Sequence, residues 1–126
     1  QAEARRCKEI FEFIKLNSNK RHLCIFDEIY SGTNPTDAVL CANIYLTGMN
    51  KLKNVDYVLT THYLELCKKY IKSDNVKNQQ MLVNINKNND IEYTYKLNNG
   101  ISDIHGGLKV LKDLKYPDEL LKKEKQ

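Results

Sequence analysis

The chain has 126 residues, of which 41% are apolar and 29% charged, with 5 glycines and 2 prolines. This is one domain or part of one, and the composition excludes a collagen-like chain and argues against a disordered one. Lys and Arg total 20 against 16 Asp and Glu, a net charge of +4, which permits an anionic partner without demanding one.

The basic excess is thinly spread, with 8 basic and 7 acidic groups in residues 1–62 and 12 and 9 in residues 63–126. A nucleic-acid footprint would be a clustered stripe; the densest run, Lys122-Lys123-Glu124-Lys125, reads as a solvated helix end. No stretch of about 18 apolar residues is present, so no membrane partner is expected. The start, Gln1-Ala2-Glu3-Ala4-Arg5-Arg6, carries charge without an apolar core and does not read as a signal peptide. With no initiator methionine, the chain reads as an internal or C-terminal piece of something longer. Cys7, Cys24, Cys41 and Cys67 lack C-x-x-C spacing, so a zinc site is not expected. Cys24 and Cys41 sit in apolar runs, as small hydrophobes do. Reduced cysteines and an intracellular protein are the expectation.

Residues 2–16 place Ile10, Phe11 and Ile14 at helical spacing, with Arg5, Arg6, Lys8, Glu9 and Glu12 opposite. Asn17-Ser18-Asn19-Lys20 ends that helix. His22-Leu23-Cys24-Ile25-Phe26-Asp27 is apolar without alternation, which predicts a parallel strand buried on both faces. After a loop, Asn34 caps a helix with Pro35 at its first position and Asp37 in its first turn, running to about Asn50. Val55–Thr60 predicts a second strand, followed by Thr61-His62 and a helix through Leu64, Leu66, Cys67 and Ile71. Strand, helix, strand, helix is the order of an α/β parallel sheet.

The pattern then changes. Met81–Ile85 and Ile91–Leu97, separated by Asn86-Lys87-Asn88-Asn89-Asp90, predict an antiparallel hairpin. Ile91, Tyr93, Tyr95 and Leu97 alternate with polar residues, as in a strand with one wet face. Leu108, Val110, Leu111 and Leu114 mark a further helix, and Pro117 starts a last charged one.

Three features carry chemistry. Asp27-Glu28 closes the first apolar strand, where a carboxylate points into the ligand crevice of an α/β sheet. One carboxylate there can hold a hydrated magnesium, and its neighbour can deprotonate a water. Such a pair is often only a solvated strand end. His62 follows the next strand, so adjacent strands would place it beside Glu28, within reach of a γ-phosphate or the attacking water. A lone histidine is more often structural; its coincidence with the acid pair at corresponding strand ends favours function. In Ser31-Gly32-Thr33-Asn34-Pro35-Thr36-Asp37, Gly32 is read as permitting a tight backbone path. The hydroxyls and Asp37 are either helix caps or a loop crossing a dimer interface next to nucleotide.

Phe26-Asp27-Glu28-Ile29-Tyr30-Ser31-Gly32-Thr33-Asn34-Pro35-Thr36-Asp37-Ala38 resembles the Walker B and D-loop block of the MutS family, the ABC-type ATPases of DNA mismatch repair. Thr60-Thr61-His62-Tyr63-Leu64-Glu65-Leu66 matches that family's A-T-H-[YF]-x-E-L segment. Its hairpin and closing segment are echoed by Tyr95-Lys96-Leu97, Gly100, Gly107-Leu108-Lys109-Val110 and Tyr116-Pro117-Asp118-Glu119-Leu120-Leu121. The resemblance covers essentially the whole chain, in order.

It implies the C-terminal half of a P-loop NTPase domain of ABC type: a signature helix over 1–16, Walker B and D-loop over 22–37, a switch-histidine strand and loop over 55–66, a β-hairpin over 80–97 and C-terminal helices over 105–126. It implies ATP and Mg2+ as cofactors, with Asp27 ligating the magnesium through water, Glu28 as catalytic base and His62 at the γ-phosphate. Ser31, Thr33 and Asp37 would lie in a nucleotide-side loop reaching a second MutS-like subunit. The full protein would bind mismatched or branched DNA through upstream domains.

The Walker A loop, G-x-x-x-x-G-K-[ST], is absent from these residues, so the chain alone is expected to be inactive. His105-Gly106 stands where the family's closing segment carries an aromatic. The Asn-Pro-Thr-Asp version of the D-loop is more like the second MutS branch. Two rivals are a non-catalytic dimerisation or regulatory module that kept the fold, and another ABC-type head, whose D-loop is usually of the shorter S-x-x-D kind.

Overall fold

The computed structural model describes residues 2–102 and 112–124. It divides into two compact units, residues 1–76 and 77–126.

The first unit runs α1 (Ala2–Leu16), β1 (His22–Asp27), α2 (Pro35–Asn50), β2 (Val55–Thr60) and α3 (Leu64–Lys68). β1 and β2 pair in parallel, His22 opposite Val55 and Asp27 opposite Thr60. A parallel pair needs a crossover, and α2 is that crossover. α2 begins as the sequence predicts: the Asn34 side chain accepts the Thr36 amide at 2.9 Å, with Pro35 in the first turn. Its buried residues, Ala38, Ala42, Leu46 and Met49, recur every three or four positions, and the two alanines keep the packed face narrow near its start.

α1 buries Cys7 and Ile14 and packs Ile10 and Phe11 against the same core. Its end is bracketed from β2's side. The Asn54 amide donates to the carbonyls of Ile14, Asn17 and Lys20 at 3.2, 3.2 and 3.1 Å. The Ile14 and Asn17 carbonyls also accept the Asn17 and Lys20 amides, at 3.3 and 3.1 Å, so the bracket adds to a turn that is already bonded. Ile14 and Met49, each 1% exposed, form the middle of the core, with Phe26 of β1 and Leu66 of α3 beside them. The Phe26 ring meets Tyr45 edge to face, centroids 5.9 Å apart.

Two expectations are corrected here. β1 is not buried on both faces. Cys24 and Phe26 join Tyr57 and Leu59 in the core, but Leu23 and Ile25 are 68% and 75% exposed and Val58 beside them 56%. Successive strand residues point to opposite faces, and all three helices contribute their core residues to one face of this pair. The predicted helix through Ile71 also stops early, at Lys68. The following bonds, Lys69 to Leu66 and Tyr70 to Cys67, are the tighter three-residue kind. They bring the Tyr70 hydroxyl to the Asn43 side chain at 3.0 Å and leave Ile71 exposed.

The second unit contains β3 (Gln79–Ile85), β4 (Ile91–Asn99) and α4 (Asp118–Glu124). The strands are antiparallel, Ile85 opposite Ile91 and Gln79 opposite Asn99. The Asn86 side chain shapes the turn by accepting the amides of Asn88 and Asp90 at 2.9 and 3.0 Å. The simple alternation expected for β4 does not survive. Val83 faces Tyr93 while Leu82 faces Lys96, so Thr94 and Tyr95 are extra residues in a bulge. Tyr95 takes a left-handed backbone, φ 58°, and is 82% exposed. No described residue of this unit is buried. α4 begins directly after Pro117, as expected; Leu108, Val110 and Leu111 of the further predicted helix lie outside the described residues.

Candidate active site

The parallel register brings Asp27 and Thr60 side by side, and the Thr60 hydroxyl donates to Asp27 Oδ1 at 2.7 Å. One residue later the Glu28 amide donates to the Thr60 carbonyl at 2.9 Å, so the ladder runs one bond past the end of β1. There the chain turns sharply: Glu28 has φ 55° and Tyr30 φ 61°, with Ile29 between them buried in the core. On the neighbouring strand, the Thr61 hydroxyl accepts the Tyr63 amide at 3.0 Å, a local turn that carries His62. The two turns meet. His62 Nε2 lies 2.6 Å from Glu28 Oε1, with the imidazole 87% and the carboxyl 38% exposed.

A pair this open to water adds little to stability. Chemically it is a carboxylate able to accept a proton from water, oriented by an imidazole, one residue from a second carboxylate. Among the described residues no group of three His, Cys, Asp or Glu side chains converges on a metal position. Asp27 offers an exposed carboxylate already bonded to one hydroxyl. That donor set fits a hydrated Mg2+ completed by water and substrate phosphates, not a protein-only cage.

Of the residues singled out in the sequence, the fold brings Asp27, Glu28 and His62 to one edge. Ser31, Thr33 and Asp37 are exposed on the loop and the first turn of α2. Among the described residues no hydrogen bond or ion pair joins their side chains to the other three. The tight path ascribed to Gly32 is also corrected. A Cβ there would meet nothing within 4 Å, and the left-handed positions are Glu28 and Tyr30 instead. Glu3, whose carboxylate accepts the Tyr30 amide at 2.7 Å, has no sequence signal; a contact across 27 residues leaves no periodic pattern. Burial raises the Cys7 and Cys24 thiols, which suits packing and not nucleophilic work.

The structure defines an α/β unit with an acid–imidazole pair at neighbouring parallel strand ends. The family model of MutS domain V matches residues 4–126. Endonuclease MutS2 of Clostridium kluyveri is 32% identical over 106 residues, covering 84% of this chain and 13% of that protein. Endonuclease MutS2 of Clostridium novyi is 30% identical over 105 residues, 83% of this chain and 13% of the relative. The DNA mismatch repair protein MutS of Bacillus cereus is 27% identical over 110 residues, 87% of this chain and 12% of the relative. The chain belongs to the MutS family, within its domain V. It spans 12–13% of the length of these curated relatives.

Proposed function

We propose that this chain is the C-terminal half of an ABC-type ATPase domain in a MutS-like protein, which couples ATP binding and hydrolysis to recognition of mismatched or branched DNA. The carrying observation is the 2.6 Å contact of Glu28 with His62 beside Asp27. Glu28 takes the proton of a water aimed at the γ-phosphorus. His62 holds the Glu28 carboxylate in line and offers its ring N–H toward the same oxygens. Asp27, fixed by the Thr60 hydroxyl, would hold Mg2+ through water; the ion would neutralise charge on the phosphates. Ser31, Thr33 and Asp37 face solvent, as a D-loop that reaches a second MutS-like subunit requires.

The bare apolar face of β1 and β2 supports the same reading, because a sheet with Leu23, Ile25 and Val58 uncovered calls for another layer. That layer, with the phosphate-cradling loop this chain lacks, would come from the rest of the protein. DNA would be engaged through other domains, inside the cell; no helix among the described residues is long and apolar enough to cross a membrane. A non-catalytic dimerisation or regulatory module has no use for the Glu28–His62 contact, so hydrolysis is the favoured reading.

The test is Glu28→Gln in the full-length protein. Retained ATP binding with turnover lowered about 100-fold or more is expected. Unchanged turnover removes Glu28 as the base. The 126-residue chain by itself is expected to show no ATP turnover; activity abolished by Glu28→Ala would refute that.

A further inference from the structure

Glu28 leaves β1 through a three-residue turn whose ends are both strained. Left-handed backbone is strained at a non-glycine residue, and here Glu28 and Tyr30 both adopt it, with φ 55° and 61°. Such a turn persists only where its surroundings fix it. On one side the Glu28 amide is bound by the Thr60 carbonyl at 2.9 Å. In the middle, Ile29 is anchored in the core. On the other side, the Tyr30 amide is bound at 2.7 Å by a carboxylate from the first turn of α1. A charge-assisted bond of that length is among the stronger ones available to an amide. One helical turn further along α1, Cys7 is buried in the core cluster against which Tyr30 packs. Glu3 and Cys7 are four residues apart and therefore on one face, so the face of α1 that holds the Tyr30 amide is also the face that enters the core.

We infer that Glu3 is a positioning residue for Glu28: by holding the Tyr30 amide, it locks the left-handed turn that aims the Glu28 carboxylate at His62. This rests on the assignment of Glu28 as the base. Its consequence is a mechanical link, since a shift of α1 relative to β1 must move or release the turn and misaim the carboxylate. Misplacement of a reacting group by about 1 Å can cost about 100-fold in rate.

A purely structural role for Glu3 exists, because an acidic side chain in a first turn also favours the helix dipole. Two substitutions in the full-length protein separate these roles. Glu3→Gln discards the charge and keeps an acceptor oxygen at the same reach. Glu3→Asp keeps the charge and withdraws the oxygen by one methylene. The inference expects Glu3→Asp to lower kcat for ATP by about tenfold or more with KM unchanged, and Glu3→Gln to retain most of kcat. Hydrogen exchange in the peptide spanning residues 28–34 should quicken in Glu3→Asp and stay slow in Glu3→Gln. Wild-type kcat in Glu3→Asp, or the reverse order of the two variants, would overturn it. Glu28→Gln, measured in parallel, separates the failures: if it still hydrolyses ATP, the functional reading falls and takes this inference with it. If it is inactive while Glu3→Asp is unimpaired, only the role of Glu3 falls.

Discussion

Residues 1–76 and 77–126 are each built on two paired strands, yet all nine buried apolar side chains among the described residues belong to the first unit. The difference lies in the connection. A parallel pair cannot close without a crossover, and the crossover α2 brings Ala42, Leu46 and Met49 onto the strands it joins. A hairpin closes through its own turn, here residues 86–90, and brings no cover with it. Strand pairing satisfies backbone groups in both units, but an interior arises only where the chain path carries an apolar element back over the sheet.

The largest expected effects test that contrast. Ile14→Ala or Met49→Ala should cost about 2–5 kcal/mol in urea unfolding, because each empties a fully packed site. Tyr95→Ala in the exposed bulge should change stability by no more than about 0.5 kcal/mol. Comparable losses at Met49 and Tyr95 would mean that the hairpin has an interior after all. Next comes Asn54→Ala, which removes a side-chain amide donating to three carbonyls around the end of α1 and should cost about 1–3 kcal/mol. Loss of less than that would show the bracket is ornamental to the fold.

Alkali should probe the same core from another side. Burial raises the Tyr57 phenol from 10.0 to about 12, and it raises the Cys7 thiol above 9.0. Both groups are neutral when protonated and bind their protons more tightly when folded. Their contribution is therefore complete below about pH 9 and is lost as pH climbs through about 12. A pH series of unfolding midpoints should decline over that window, and Tyr57→Phe should flatten the upper part of the decline. A decline with the same shape in the variant would assign it to other groups.

Much of the first unit could be read in the chain itself. Ile10, Phe11 and Ile14 mark α1, Asn34 and Pro35 mark the start of α2, and two six-residue strands separated by one helix place Asp27 and His62 at neighbouring ends. Local chemistry and periodicity suffice for these. What could not be read depends on distant partners. The left-handed turn at Glu28 and Tyr30 is held by Glu3 from 27 residues away, and the end of α1 by Asn54 from 40 residues beyond Ile14. Neither asparagine nor glutamate signals its target by spacing. Ile71 fits the helical pattern yet stays exposed, so α3 ends at Lys68 although the periodicity continues.

The misreading of β1 has a different cause and supports the smallest and most discriminating prediction. Leu23 and Ile25 make the strand look buried on both faces, and the sequence pattern of a strand records the environment in the finished protein. Ile25→Thr keeps β-branching and so preserves strand propensity, while removing part of the apolar surface. In the 126-residue chain, where Ile25 is 75% exposed, it should shift stability by no more than about 0.5 kcal/mol. In the full-length protein, a covering layer would turn the same change into a buried hydroxyl without a partner, costing about 1–3 kcal/mol. A near-zero effect in both contexts would mean that this face stays wet in the finished protein. The second layer, and with it the reading of this chain as half of a larger sheet, would then have to be abandoned, while the Glu28–His62 pair on the strand ends would still need an explanation of its own.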